Sequence, residues 1–177
     1  GWSRFGVLDI SRWRDDALRD AYGTFLYLRR DGTSAPVSIT QHPAPDPAAV
    51  YETLFCSDRV QLDARWSELR TRCTVWVSAE DDVELRRIEL YNDSSQTIQL
   101  ELMSMFEVSL ADARADEMHP AFSNLFVCAD WDAREQALYF ARKPRLVTKA
   151  VLAPVRNRMS AHLWSVMFMP SRSATAW

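Results

Sequence analysis

Aromatic and charged side chains alternate near the start of the chain, at Arg12, Trp13, Arg14, Asp15 and Asp16. Such a set can bind a sugar, because an aromatic ring stacks on the C–H face of a pyranose while arginine and aspartate hydrogen-bond its hydroxyl groups. The alternative is a solvated, charged loop in which Trp13 closes one end of the fold. Because the segment precedes the first predicted strand, both interpretations place it at an end of the fold.

A second group of candidate residues is acidic and comprises Glu80, Asp81, Asp82 and Glu84. Paired carboxylates hydrolyse glycosides when held about 5–9.5 Å apart across the bond, and carboxylate oxygens also bind Ca²⁺. Neighbours in one turn do not meet the first requirement by spacing alone. The favoured interpretation is a solvated turn whose charges protect a hairpin edge. A glycosidase using Glu80, Asp82 or Glu84 stays open as an alternative.

The third candidate segment places a histidine directly before a proline, at His119 and Pro120. His119 could hydrogen-bond a sugar or a phosphate, or it could hold in place a long loop between strands that also carries Phe122. The following proline restricts His119 to an extended conformation. No serine, cysteine or second histidine stands at a spacing useful for catalysis, and His42 and His162 show no metal-ligand spacing. No catalytic residue and no metal site are predicted.

The composition argues against several classes of function. Hydrophobic residues make up 47% of the 177, enough for a substantial core, and the formal net charge of -3 argues against a nucleic-acid partner. No apolar run approaches the ~20 residues of a membrane-spanning helix, so direct membrane insertion is not expected. With only 4 glycines, a Gly-rich phosphate loop is not expected, and no cofactor is predicted.

The chain contains three cysteines, Cys56, Cys73 and Cys128, and no CxxC pair, which argues against a zinc site. Cys73 and Cys128 lie in apolar stretches and are predicted to be small core residues. The odd number and wide spacing of the cysteines favour a reducing compartment over a disulfide framework.

The elements that position these residues are predicted from apolar side chains at every second position, the pattern of half-buried strands. The longest such run, residues 98–108, places Ile98, Leu100 and Phe106 on one face. Other strands are predicted at residues 22–28, 37–40, 60–66, 73–77, 125–129, 138–141 and 163–169. Their regular spacing predicts an all-β fold, an antiparallel β-sandwich with little helix.

Turns and irregularities complete the prediction. Residues 92–95, Asn-Asp-Ser-Ser, are typical of a hairpin loop. The alternation changes phase within residues 83–90, which predicts a β-bulge near Arg86 and Arg87. Those arginines and Glu84 are expected to form cross-strand ion pairs without a chemical role. Helix is limited to one short turn in residues 46–50, while residues 110–118 are helix or loop.

Four segments resemble motifs of one family, in the expected order. Residues 11–16 resemble T-R-W-R-x-D, 23–29 resemble G-x-F-x-Y-L-R, 78–87 resemble S-P-E-D-D-x-E-x-R-R, and 115–127 resemble A-D-x-x-H-P-A-F-S-K-L-F-V. The family comprises cellobiose and chitobiose phosphorylases and, more closely, the phosphorylase-like part of cyclic β-1,2-glucan synthases. The resemblance runs from the start of the chain to about Arg145.

The resemblance implies that residues 1–177 are a single N-terminal β-sandwich domain, called a supersandwich, of a larger bacterial enzyme. In that family an (α/α)6 barrel carries the general acid and uses inorganic phosphate as co-substrate. This domain is therefore expected to be non-catalytic alone and to lie on the cytoplasmic side. Its expected partners are the catalytic barrel, a β-glucan oligosaccharide and a second copy in a homodimer.

The residues expected to shape the glucan-binding cleft of the intact enzyme are Arg12, Trp13, Arg14, Asp15, His119 and Phe122. Both ends of the chain are expected to be cut from a longer protein. The alternative from another class is a free-standing carbohydrate-binding module.

Overall fold

The computed structural model describes residues 2–15, 18, 22–30, 35–135 and 137–143. Within those ranges, strands dominate and the two helices are short. The strands are β1 (Arg4–Phe5), β2 (Leu8–Ser11), β3 (Thr24–Arg30), β4 (Val37–Ser38), β5 (Val50–Phe55), β6 (Val60–Arg65), β7 (Leu69–Val77), β8 (Glu84–Asn92), β9 (Leu100–Phe106), β10 (Val108–Asp112), β11 (Val127–Asp132) and β12 (Ala137–Arg142), and the helices are α1 (Ala113–Met118) and α2 (Pro120–Asn124).

The strands form four antiparallel sheets in the described part of the chain. Strands β5, β6, β7 and β8 form a four-stranded meander, and β4, β3 and β9 form a three-stranded sheet in that order. A second three-stranded sheet has the order β1, β2, β10, while β11 and β12 form a hairpin. The short connection between β1 and β2 contains Gly6 at a φ of 59°, which glycine adopts without steric cost.

The core lies between the four-stranded meander and the sheet of β3, β4 and β9. Leu26 and Leu28 of β3 are 3% and 2% exposed, and they pack in one cluster with Leu69 and Cys73 of β7. Complete burial of a leucine stabilises the fold by roughly 1.5–3 kcal/mol. The two facing sheets confirm the predicted all-β antiparallel sandwich, and the alternation of β3 and β7 produces it by turning every second side chain inward.

The predicted hairpin at residues 92–95 is wrong. Strand β8 pairs with β7, whereas β9 pairs with β3 in the other sheet, so this turn carries the chain from one sheet to the other. The turn itself is held locally, since Ser94 N and Ser94 Oγ both donate to Asn92 Oδ1, at 3.0 and 2.7 Å. Local turn chemistry is the same in both cases and does not specify the partner strand.

The predicted strand at residues 98–108 is interrupted at Glu107. Residues before it pair with β3, and residues after it, in β10, pair with β2. The carbonyl oxygen of Glu107 accepts from Arg12 N at 2.8 Å, and the β10 register shifts between Val108 and Ala111. The apolar alternation of the sequence continues through the break, but in β10 the buried side chains are those of Ser109 and Ala111, on the other phase.

The predicted bulge near Arg86 and Arg87 is also wrong. Strand β8 pairs with β7 in one unbroken register from Asn92 opposite Leu69 to Glu84 opposite Val77. The alternation of apolar residues changes phase because two charged residues, Glu84 and Arg86, lie on the same face of β8 as Ile88. They form an ion pair along one strand, not across two, with both side chains 15% exposed.

Other expectations have mixed outcomes. Cys73 is buried as predicted, but Cys128 is exposed, because β11 belongs to the separate hairpin with β12 and does not enter the main core. The predicted helical turn at residues 46–50 is wrong: a 3.0 Å hydrogen bond from Ala49 N to Asp46 O closes a single turn without helix, and Val50 begins β5. The predicted strand at 163–169 lies outside the described residues.

Candidate functional site

The segment Arg12, Trp13, Arg14 and Asp15 does not precede the first strand as predicted; it directly follows β2. The β2 strand is anchored by hydrogen bonds from Ile10 N and Ser11 N to Ser3 O. In the antiparallel pair of β2 and β10, the end of β2 at Ser11 lies opposite Val108, the first residue of β10. This topology places the segment beside residues about a hundred positions later in the chain.

Arg12 is buried and engages acidic groups with every guanidinium nitrogen. Its Nε donates to Asp116 Oδ2 at 2.7 Å, and its Nη2 donates to Asp116 Oδ1 at 2.9 Å. Nη1 donates to Glu107 Oε2 at 2.5 Å, and Nη2 also donates to Asn124 Oδ1 at 2.6 Å. The fork geometry of arginine suits this bidentate contact. Arg12 therefore joins β2, α1 and α2, which is a bracing role.

Asp116 lies on α1, whose first turn is capped by Asp112. The Asp112 carboxylate accepts from Arg114 N at 3.0 Å and from Ala115 N at 3.3 Å, as an N-cap does. Burial alone would raise the pKa of Asp116, but the hydrogen bond and charge of Arg12, together with a hydrogen bond from Ser123, hold that pKa below its usual value. Asp116 is thus a buried carboxylate that stays ionised.

His119 and Phe122 do not lie on a long loop, as the sequence suggested, but at and after the junction of α1 and α2. His119 ends α1 and starts α2, with φ of -145° and ψ of 65°. Pro120 is the first residue of α2, where its missing N–H has no cost. The rings of His119 and Phe122 pack edge to face with centroids 6.2 Å apart, and Phe122 is 64% exposed.

Trp13 stacks on Trp2, with ring centroids 4.9 Å apart and planes 18° from parallel. Both rings keep more than a third of their surface exposed. The guanidinium carbon of Arg4 lies 4.8 Å from the centroid of a Trp2 ring, which is a cation–π contact. The Trp2 indole N–H donates to Asp9 Oδ1 at 3.1 Å and orients the pair. Trp13 thus presents an aromatic surface at this end of the fold.

Arg14 lies between the buried brace and solvent. Its Nη2 is 3.6 Å from Asp116 Oδ2, and its Nη1 is 3.7 Å from Glu117 Oε1. Its guanidinium also lies 6.0 Å from the Tyr22 ring centroid. Asp15 is exposed. The structure thus brings the two predicted segments to one edge through Arg12 and Asp116, but it gives them different environments, with Arg12 buried and the other five exposed or half-buried.

Several residues of this site were missed from the sequence. Asp116, Glu107 and Asn124 accept hydrogen bonds from Arg12. Trp2 stacks on Trp13 and extends the aromatic surface. Trp2 was detectable as a second aromatic residue near Trp13. Asp116 and Asn124 lie in residues 115–127, which resemble a family motif, but nothing local marks them or Glu107 as partners of Arg12, about a hundred residues earlier.

The acidic group of Glu80, Asp81 and Asp82 forms the exposed turn between β7 and β8, as the favoured interpretation held. Glu84 is separate from it and accepts from Ser3 Oγ at 2.8 Å and from Arg86 Nε at 2.7 Å. Among the described residues, no group of three or more histidine, cysteine or acidic side chains is placed to hold a metal ion.

The electrostatics of the site do not favour proton transfer. A general acid needs a raised pKa and access to its substrate, whereas Asp116 has a lowered pKa and is 3% exposed. Burial raises the pKa of Asp9, against the lowering effects of the Trp2 hydrogen bond and the Arg4 charge. Asp9 is also only 3% exposed. Neither carboxyl group is available to a bound substrate.

Packed antiparallel sheets with two short helices at one edge define a β-sandwich domain. The chain belongs to the family of glycosyl hydrolase 94 supersandwich domains, whose model matches residues 1–176. It is also 29% identical over 145 residues to the cyclic beta-(1,2)-glucan synthase NdvB of Rhizobium meliloti (strain 1021). That match covers 82% of this chain but only 5% of the relative. The chain is therefore related to a small part of a much larger enzyme.

In the part of the chain that the structure describes, no helix is both long and apolar enough to cross a membrane.

Proposed function

We propose that this chain is an accessory, non-catalytic domain of a glycosyl hydrolase 94 enzyme that acts on β-glucan, and that its aromatic edge contacts the glucan. The observation that carries the proposal is the exposed Trp13, stacked on Trp2, beside Arg14 at the same edge as His119 and Phe122. An exposed, oriented indole offers an apolar face to the C–H side of a sugar ring. The family match and the glucan synthase relative favour β-glucan as the sugar.

Within this proposal the six predicted residues divide into two roles. Trp13, Arg14, Asp15, His119 and Phe122 contact the glucan, while Arg12 positions them. Arg12 is buried and its nitrogens are already hydrogen-bonded within the chain, so direct contact with a sugar would require it to leave Asp116. The buried ion pair instead holds the two exposed segments next to each other.

The reaction itself belongs, in this proposal, to an (α/α)6 barrel of the parent enzyme with inorganic phosphate as co-substrate. The barrel and a second copy of the domain are the proposed protein partners, and the cytoplasmic side of the membrane is the proposed location. The shielding of Asp9 and Asp116 supports the absence of catalysis by this domain. Purified chain incubated with β-1,2-glucan and phosphate should release no glucose 1-phosphate; release that depends on the chain would contradict the non-catalytic role.

The binding role is tested by calorimetric titration of the chain with a β-(1,2)-linked glucan oligosaccharide. Trp13→Ala and Arg14→Ala should each weaken binding by about fivefold or more without lowering the thermal midpoint by more than a few degrees. Trp131→Ala is the matched control, because Trp131 is also an exposed tryptophan but lies on β11. Equal affinity in Trp13→Ala, Arg14→Ala and the control would show that these segments only brace the sandwich.

A further inference from the structure

The outward face of the four-stranded meander carries a cleft that is separate from the aromatic edge. Leu69 and Cys73 of β7 turn into the core, so the residues that alternate with them face outward. Thr74 and Trp76 line this cleft together with Gln61 of β6 and Arg87 of β8. Its volume is about 320 Å³, at the lower end of the range of small-molecule sites.

Strand register fixes the arrangement of the cleft. Gln61, Thr74 and Arg87 stand directly opposite one another on three adjacent strands. Trp76 stands opposite Leu85, which is 40% exposed, so an aromatic and an aliphatic side chain lie together at one end of that row. The sheet holds this row in place, because β7 at its centre is hydrogen-bonded to both β6 and β8. The cleft therefore has an apolar end and a polar row in fixed positions.

The polar side chains are oriented by contacts within the chain. Arg72 donates through Nε and Nη2 to the two carboxylate oxygens of Asp63, at 3.0 and 2.9 Å. The amide nitrogen of Gln61 donates to Asp63 Oδ2 at 3.0 Å. These contacts fix the orientation of both side chains. The side-chain oxygen of Gln61 can still accept a hydrogen bond, and Nη1 of Arg72 can still donate one. Such pre-organisation lowers the entropy cost of binding.

The charges around the cleft are balanced. Arg72 pairs with Asp63, Arg59 pairs with Asp58 at 2.9 Å, and Arg87 lies 3.4 Å from Glu89. An anionic ligand would have to compete with a carboxylate for each arginine. A neutral ligand rich in hydroxyl groups instead uses the remaining donors and acceptors of these pairs, and it also gains the stacking surface of Trp76.

We propose that this cleft, hereafter the Trp76 cleft, binds one ring of a neutral saccharide, with the ring stacked on Trp76 and its hydroxyl groups hydrogen-bonded by Gln61, Arg72 and Arg87. The cleft is a second sugar site, separate from Trp13, which follows β2 of another sheet. It rests on the proposed function only for the choice of β-glucan as the probe.

The test follows the indole N–H signals of the full chain by NMR during titration with a β-(1,2)-linked glucan oligosaccharide and, separately, with inorganic phosphate. The Trp76 signal, assigned from Trp76→Phe, should shift with the oligosaccharide and not with phosphate. Trp76→Ala should weaken binding at this site by about fivefold or more. Arg87→Gln should weaken it too, and because Arg87 is exposed this variant serves if Trp76→Ala folds poorly.

Arg65→Gln is the matched control, since Arg65 is an exposed arginine on β6 of the same sheet outside the cleft. A Trp76 signal that moves only with phosphate, or oligosaccharide affinity unchanged in Arg87→Gln, would overturn the proposal. If Trp13→Ala abolishes oligosaccharide binding and the oligosaccharide does not shift the Trp76 signal of the wild type, the proposed function is retained and this inference is refuted. The reverse pattern would refute the Trp13 site and retain the Trp76 cleft.

Discussion

Arg12 and Asp116, 104 positions apart in the sequence, form a two-pronged ion pair in which both side chains are nearly inaccessible, at 6% and 4% exposure. The pair joins the end of β2 to helix α1, and through Asn124 it also reaches α2. The exposed residues of the candidate site lie on either side of it. The position of Trp13 relative to Phe122 thus depends on a buried pair that contacts no ligand itself.

Breaking this pair should be costly. Asp116→Ala leaves the Arg12 charge buried without its main partner, so the free energy of unfolding should fall by about 3–5 kcal/mol. Urea denaturation followed by tryptophan fluorescence measures this change. Asp58→Ala is the control, because the Asp58–Arg59 pair is exposed and such pairs contribute about 0–1 kcal/mol. Equal losses in the two variants would show that the Arg12–Asp116 pair is energetically unimportant.

Acid should weaken the fold through the same pair. The pKa of Asp116 lies below its usual value in the folded chain, so its stabilising effect is complete above the unfolded-state pKa of about 3.9 and is lost as the pH falls below that value. The double variant Arg12→Met/Asp116→Leu should lose less stability than the wild type between about pH 5 and pH 2. The measurement is the urea midpoint of each protein as a function of pH. If the midpoints of the wild type and the double variant fall in parallel, the acid sensitivity does not come from Asp116.

The sequence predicted the sandwich because alternation reports which residues face a core, and that information is local. It did not predict the partner of each strand: the turn at residues 92–95 is compatible with a hairpin and with a crossing between sheets. Alternation likewise continues through Glu107, where the chain changes sheets. Strand pairing depends on contacts between residues distant in the sequence, and the alternation of apolar residues gives no information about those contacts.

The candidate site shows the same division. Trp13 was singled out because an aromatic residue among charged ones is a local feature, and Phe122 because it closely follows His119 and Pro120. The role of Arg12 was not, because a buried arginine and a sugar-binding arginine look alike until Asp116 and Glu107 are placed around it. Glu84 and Arg86 misled the strand prediction for a related reason: a polar pair facing inward resembles a bulge in the apolar pattern.

Asp9 should respond to substitution in the opposite way to Asp116. Its raised pKa, due mainly to burial, means that its contribution to stability is complete below the unfolded-state pKa and is lost as the pH rises through the folded-state pKa. Asp9→Asn keeps an acceptor for the Trp2 indole and removes the buried charge. It should therefore raise the free energy of unfolding at neutral pH by about 0.5 kcal/mol. A loss of stability at neutral pH would contradict this.

Cys73 and Cys128 should differ sharply in reactivity. Burial raises the pKa of Cys73 to about 11, and the thiolate is the reactive form, so Cys73 should react with a disulfide reagent only after unfolding. Cys128 is exposed and should react first in the native chain. Thiol titration before and after addition of urea measures the difference, and Cys128→Ser should remove the fastest phase. A fast phase that persists in Cys128→Ser would contradict the assignment.

The Glu84–Arg86 pair on the inward face of β8 provides the last prediction. Glu84→Ala removes the acceptor of both Arg86 Nε and Ser3 Oγ, and it leaves a half-buried guanidinium without its partner. The free energy of unfolding should fall by about 2 kcal/mol, whereas Glu80→Ala, in the exposed turn, should stay within about 0.5 kcal/mol of the wild type.

The double variant Glu84→Leu/Arg86→Met distinguishes the loss of an ion pair from the loss of packing. It extends the apolar face of Ile88 along the strand, so it should recover most of the stability lost in Glu84→Ala, because replacement of an enclosed ion pair by apolar side chains is often neutral or stabilising. Urea denaturation of the four proteins gives the comparison. If the double variant is less stable than Glu84→Ala, the pair and its hydrogen bond to Ser3 are required for the sandwich to close at this edge, and the polar interruption of β8 is itself a structural feature.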